Sequence, residues 1–168
     1  MKKLTLSLSI FCFSIVAVFA QVTNKDFKNK IDSYIDYSVP IITVEELKDQ
    51  TKDYLILDIR EQKEYNTSHL CDAVFIGYKD PDFTSLKEID KDQPIVVYCS
   101  IGYRSEKIGK RLLENGFTNV RNLYGSIFEW ANQGQPIYDI NEQVTDKIHT
   151  YNRKWSKWMI NSKYSKVY

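Results

Sequence analysis

The sequence predicts an α/β fold: a mostly parallel central sheet with helices on both faces, followed by a C-terminal helical and aromatic extension. Short continuous apolar runs at residues 54–59, 73–76 and 94–98 have the character of strands buried on both faces. Segments with apolar residues at helical spacing separate these runs, and strands alternating with helices point to a parallel sheet. The composition fits one core, with 168 residues, 43% of them hydrophobic, and no internal repeat. With 23 Lys+Arg against 22 Asp+Glu, interleaved along the chain, there is no electrostatic footprint for nucleic acid. Three cysteines without a C-x-x-C pair and two histidines supply neither a zinc tetrad nor a disulfide framework.

Taken in order, Lys2 and Lys3 precede an uncharged stretch over residues 4–20 with the layout of a secretory signal peptide. Cleavage between Ala20 and Gln21 is expected, with export to a bacterial periplasm; secretion or membrane anchoring are the alternatives. Thr5, Ser7, Ser9 and Ser14 leave the stretch short of the roughly 20 apolar residues of a typical span, so no stable membrane insertion is expected after cleavage. In the lead-in segment, residues 21–42, Phe27, Ile31, Tyr34 and Ile35 recur at helical spacing until Pro40. Thr43 and Glu46 form a capping box opening a short helix through Leu47. Residues 54–59 and 73–76 are strands. Phe83, Leu86 and Ile89 suggest a short helix before the strand at 94–98. Ile108, Leu112 and Leu113 mark the next helix, which Gly116 ends. Residues 120–123 are a short strand, and residues 126–132 a helix closed by Gly134 and Pro136. Residues 43–138 make the domain proper. In the extension, residues 139–168, Tyr151, Trp155 and Trp158 are spaced to dock as a short amphipathic segment.

The chemistry concentrates where the apolar run 95–98 meets Cys99, a loop through Gly102, and a helix. In open α/β sheets, ligands bind at such carboxyl ends of strands. A loop that opens a helix turns several amides toward a common centre, which suits an anion. A cysteine there has its thiolate favoured, and Arg104 adds a full charge nearby. Cys99 is therefore a candidate nucleophile; a structural cysteine buried at a strand end is the equally open alternative.

Cys99, Gly102, Arg104 and Ser105 form a C-x-x-G-x-R-S pattern that resembles the active-site loop of the rhodanese family. Three more stretches match in the family's order: Leu57-Asp58-Ile59-Arg60 with Glu64 and Tyr65; His69-Leu70 followed by Ala73; and residues 123–127 with Trp130 and Gly134-Gln135-Pro136. Cys71 and Asp72 stand where Pro-Gly is common, and Ser126 where a second glycine is usual. The resemblance implies a single-domain thiosulfate sulfurtransferase without metal or organic cofactor. It implies Cys99 and Arg104 as catalytic residues, and Ser100, Ile101, Gly102, Tyr103 and Ser105 as substrate-binding ones. A small anionic sulfur donor would charge Cys99 as a persulfide, and a thiol or cyanide would accept the sulfur. Arg104 would bind the donor or help close the loop, and Tyr103 would narrow the entrance.

Phosphatases that join a cysteine to an arginine in a phosphate cradle place five residues between them, whereas this chain has four, Ser100 to Tyr103, which is tight for phosphate. A non-catalytic rhodanese-like binding module would keep the fold without turnover, and an exported thiol redox protein would pair Cys99 with Cys71. Asp58 and Arg60 are expected to serve structure, with Arg60 paired to Glu64. His69 and Trp130 are expected to be structural, and His149 has no evident partner. The extension is expected to cover the mouth of the site.

Overall fold

A computed structural model describes residues 22–168; the signal-peptide segment lies outside the described residues. The lead-in helix forms as α1 (Lys25–Asp32), capped by the Asn24 side chain, with Phe27 and Ile31 fully buried. The capping box at Thr43 and Glu46 is present in both directions and opens α2 (Val44–Leu47). The main sheet comprises β1 (Ile41–Ile42), β2 (Leu55–Asp58), β3 (Val74–Phe75), β4 (Ile95–Tyr98) and β5 (Val120–Leu123). All its pairings are parallel, in the order β1-β5-β4-β2-β3.

The alternation along the central strand, β4, accounts for its apolar run. Ile95, Val97 and Cys99 face one side, with Ile108 and Leu112 of α4 (Tyr103–Glu114). Val96 and Tyr98 face the other, with Phe27 and Ile31 of α1, Leu47 of α2, and Ile127 and Phe128 of α5 (Ser126–Asn132). Both faces of β4 are thus covered, as a parallel sheet requires. The helix over residues 62–67 is α3 (Gln62–Thr67), which follows β2.

Three expectations need correction, and one strand is new. Residues 73–76 are not a central strand: β3 has two residues at the sheet edge, and Val74 is exposed. Phe83, Leu86 and Ile89 give only a single 3-10 turn, Phe83–Leu86. The strand β1 was not anticipated, because two residues are too few to show a period. The extension is also not an amphipathic helix. Its β7 (Val144–Thr145) pairs antiparallel with β6 (Ile137–Tyr138) at the end of the domain, and β8 (Lys147–His149) pairs parallel with β9 (Ser165–Val167) around a 3-10 turn at Ser156–Trp158. It docks all the same. Ile148, Met159 and Tyr164 are buried in the same cluster as Val96, and Trp155 and Trp158 pack against it. The Asn132 amide holds this segment by donating to Trp158 O and accepting from Ile160 N. No helix among the described residues is long and apolar enough to cross a membrane.

Candidate active site

Cys99 is the first residue past β4, and its position is fixed from both sides of the chain. Its amide donates to Ser126 Oγ at 3.1 Å, while its carbonyl accepts from Ile127 N at the start of α5. Ser126 adopts a left-handed φ of 52° in the place where the family pattern has glycine, and its hydroxyl also donates to Leu123 O. This departure from the family pattern therefore supplies a polar bracket between β5 and the strand end that carries the cysteine.

The loop then folds around the sulfur. Gly102 N lies 3.2 Å from Cys99 Sγ and donates to it. Gly102 has φ 118°, a conformation L side chains rarely adopt, so glycine is required for the turn that aims this amide. Asn122 Nδ2 and Ser105 Oγ both reach Gly102 O, and Ser105 Oγ lies 2.7 Å from Asn122 Oδ1. Cys99 is only 1% exposed, and such burial pushes a thiol's pKa up. The Arg104 charge, the Ser105 and Gly102 amides and the Ser105 hydroxyl outweigh it, and the Cys99 thiol lies below its ordinary value. The site is built to hold negative charge on sulfur.

Arg104 does not reach freely into solvent. Its guanidinium grips Glu64 with two bonds, Nη1 to Oε2 at 2.7 Å and Nη2 to Oε1 at 2.8 Å, and Nη2 also donates to Ser100 Oγ at 2.9 Å. Glu64 is fully buried on α3, where it also accepts from Glu61 N. Burial raises the Glu64 carboxyl, but Arg104 and, more distantly, Arg60 overcome this and hold it at about 2. The two pairings thus differ from expectation. Arg60 is not joined to Glu64 but is buried against Asp58, with Nη2 to Oδ2 at 2.6 Å, in a network that includes Tyr98 Oη and Ser68 O. Arg104 thus ties the loop to α3 through Glu64 and to Ser100.

Above the sulfur lies a cleft of about 620 Å³. Cys99, Ser100, Ile101, Tyr103 and Arg104 line it, so the structure brings these sequence-derived residues together. Gly102 contributes its amide, whereas Ser105 is fully buried beneath the loop and is not on the cleft wall. Sequence reasoning missed Glu64 as the partner of Arg104 and Ser126 as the bracket. It also missed Tyr34, which lines the cleft from the lead-in segment. Tyr151 and Trp155 bring the extension to the mouth of the site, as anticipated. Cys71 is a second free thiol in different surroundings, beside Asp72 and Tyr138, and burial and Asp72 push its pKa up. His69 is buried and stacked on Tyr65, with Nδ1 3.1 Å from Tyr65 O. Trp130 is a core residue donating to Pro136 O. His149 accepts from Tyr151 N through Nδ1.

A parallel α/β sheet whose central strand delivers a buried, acidified cysteine into an amide-lined loop defines a class of anion-handling thiol domains. Residues 43–133 match the family model described as a rhodanese-like domain, and the chain belongs to that family. Among curated relatives, it is 32% identical over 91 residues to the thiosulfate sulfurtransferase GlpE of Coxiella burnetii, covering 54% of this chain and 83% of the relative. It is 34% identical over 94 residues to the tRNA uridine(34) hydroxylase of Photorhabdus laumondii, covering 51% of this chain and 27% of that protein. The solution structure of the rhodanese-like domain of Alr3790 from Anabaena superposes with a TM-score of 0.56 at 25% identity, covering 63% of this chain and 83% of that one.

Proposed function

We propose that the protein is a sulfurtransferase that carries sulfane sulfur on Cys99. The observation that carries this reading is the Gly102 amide 3.2 Å from a buried Sγ whose thiol lies below its ordinary pKa. In the first half-reaction the Cys99 thiolate attacks the outer sulfur of thiosulfate. The sulfur–sulfur bond of the donor breaks, sulfite leaves with its electron pair, and Cys99 becomes a persulfide. Amides of the loop, with the Arg104 charge behind them, stabilise the anionic outer sulfur. In the second half-reaction a thiol or cyanide attacks that sulfur, and Cys99 leaves as the thiolate the site already favours. A low leaving-group pKa speeds this departure. Neither step draws on a metal or an organic cofactor.

The same geometry favours turnover over a purely binding role, since a module without chemistry has no use for an acidified thiol. The proposed setting is the bacterial periplasm, on the pattern of Lys2, Lys3 and the uncharged residues 4–20. Turnover is tested by incubating the protein with thiosulfate and cyanide and measuring thiocyanate. The wild type is expected to form it catalytically and Cys99→Ser not at all. Equal formation by both would overturn the role of Cys99.

A further inference from the structure

The cleft over Cys99 is far larger than a sulfane-sulfur anion or cyanide needs. At about 620 Å³ it falls in the range of sites that enclose whole organic molecules. Its aromatic lining comes from four separate parts of the chain: Tyr34 from the lead-in, Tyr78 after β3, Tyr103 from the loop, and Tyr151 and Trp155 from the extension. Tyr34, Tyr151 and Trp155 all lie outside the stretch, 43–133, that matches the family model. Most of the wall is therefore contributed from outside the matched domain.

The wall is also braced. Tyr34 meets Tyr103 edge to face at 5.9 Å and Trp155 at 5.4 Å, and Lys30 lies over the Tyr34 ring at 4.5 Å. Tyr151 stands over the Arg104 guanidinium at 5.3 Å. Edge-to-face pairs of this kind contribute roughly 0.5–1.5 kcal/mol each beyond their buried area, which favours this arrangement of the rings. Yet Tyr34, Tyr103 and Tyr151 are 37%, 40% and 48% exposed, so much aromatic surface is left facing the cleft and solvent. Such surface gains from being covered by an apolar body. Cys99, 1% exposed, is reached only by a slender group. A folded protein presenting a surface cysteine is a poor geometric match, whereas a thiol on a flexible arm fits.

We propose that the sulfur acceptor is a low-molecular-weight organic thiol whose aromatic or extended apolar body lies against the wall formed by Tyr34, Tyr103, Tyr151 and Trp155. This rests on the sulfurtransferase reading above. The acceptor thiolate attacks the outer sulfur of the Cys99 persulfide and forms a new sulfur–sulfur bond. The bond to Cys99 Sγ breaks, and its electron pair returns to Cys99 as the thiolate. The transferred sulfur keeps its negative charge as the outer sulfur of the organic persulfide product, so charge balances, and no outside oxidant or reductant enters.

The test separates the two half-reactions. The protein is first charged with thiosulfate, or with inorganic polysulfide if thiosulfate fails, and the added sulfur is verified by intact mass. Single-turnover discharge is then followed with 2-phenylethanethiol and with ethanethiol, two alkanethiols that differ in the ring. The rate with 2-phenylethanethiol at sub-saturating concentration is expected to exceed that with ethanethiol by about tenfold or more, the scale set by covering one face of a ring. Trp155→Ala is expected to shrink that ratio, and because Trp155 also packs against the core, Tyr151→Ala serves as the second variant with the same expectation. A wild-type ratio near one, or a high ratio that neither variant lowers, overturns the proposed acceptor class while leaving sulfur transfer standing. Failure of both donors to charge Cys99 overturns the sulfurtransferase reading and the acceptor class with it.

Discussion

Replacing Glu64 by glutamine removes a charge from a fully buried position while keeping the shape of the side chain. In the wild type this carboxylate receives two bonds from Arg104, one from Glu61 N and one from the Ser100 hydroxyl. Its pKa falls from the ordinary 4.5 to about 2, chiefly because Arg104 outweighs the burial that opposes it. At about 1.4 kcal/mol per unit, this difference corresponds to roughly 3 kcal/mol of stability. The sign follows from a depressed carboxyl: the contribution is complete above the unfolded value, 4.5, and is lost as pH falls toward about 2. Glu64→Gln should therefore cost about 3 kcal/mol at neutral pH, consistent with the 3–5 kcal/mol typical of breaking a buried pair from one side. For a domain of this size the melting temperature would drop by on the order of 10 °C. Urea unfolding at neutral pH and in steps from about pH 5 to about pH 2 reads both effects, since the variant should also lose this part of the acid limb. A loss below about 1 kcal/mol with an unchanged acid limb would refute the argument that this pair pins the loop.

Arg104→Met removes the charge that does most to lower the Cys99 thiol, so the midpoint of its alkylation rate against pH should move up; an unmoved midpoint would assign the lowering to the amides alone. Ser126→Ala leaves the buried Cys99 amide without its acceptor and should cost about 1–3 kcal/mol in urea unfolding, whereas a loss under a few tenths would show the bracket to be dispensable. His149 is buried, and burial, helped by the charges of Lys63, Arg60 and Arg104, lowers its pKa against the opposing charge of Glu64. The unfolded chain therefore takes up its proton first, and stability should fall as pH drops below the ordinary 6.5. His149→Asn should flatten that fall, and a wild type equally stable above and below this value would contradict the assignment.

What the sequence revealed were features with a local period or a local partner. The alternation of Ile95, Val97 and Cys99 against Val96 and Tyr98 makes β4 a strand covered on both faces, and this places Cys99 at its carboxyl end. Thr43 and Glu46 cap each other across one helical turn, a distance the sequence displays directly. The features that escaped are joined across the fold. Arg60 was expected to pair with Glu64 of the following helix, but α3 begins only at Gln62, and Arg60 turns back to Asp58 on β2. Glu64 was thereby left for Arg104, forty residues away. The spacing of Trp155 and Trp158 suggested a helix, yet the surrounding chain is tied down by β8 pairing with β9 and by Asn132, partners remote in sequence. Tyr34 and Trp155 meet from opposite ends of the chain, which no window of sequence displays.

The central claim is that Cys99 carries the transferred sulfur, and the intact mass of the reduced protein after incubation with thiosulfate tests it most directly. The account predicts a gain of one sulfur atom that is absent in Cys99→Ser and is discharged by cyanide. A gain that persists in Cys99→Ser, or no gain in protein whose Cys99 is shown to alkylate freely, would contradict it.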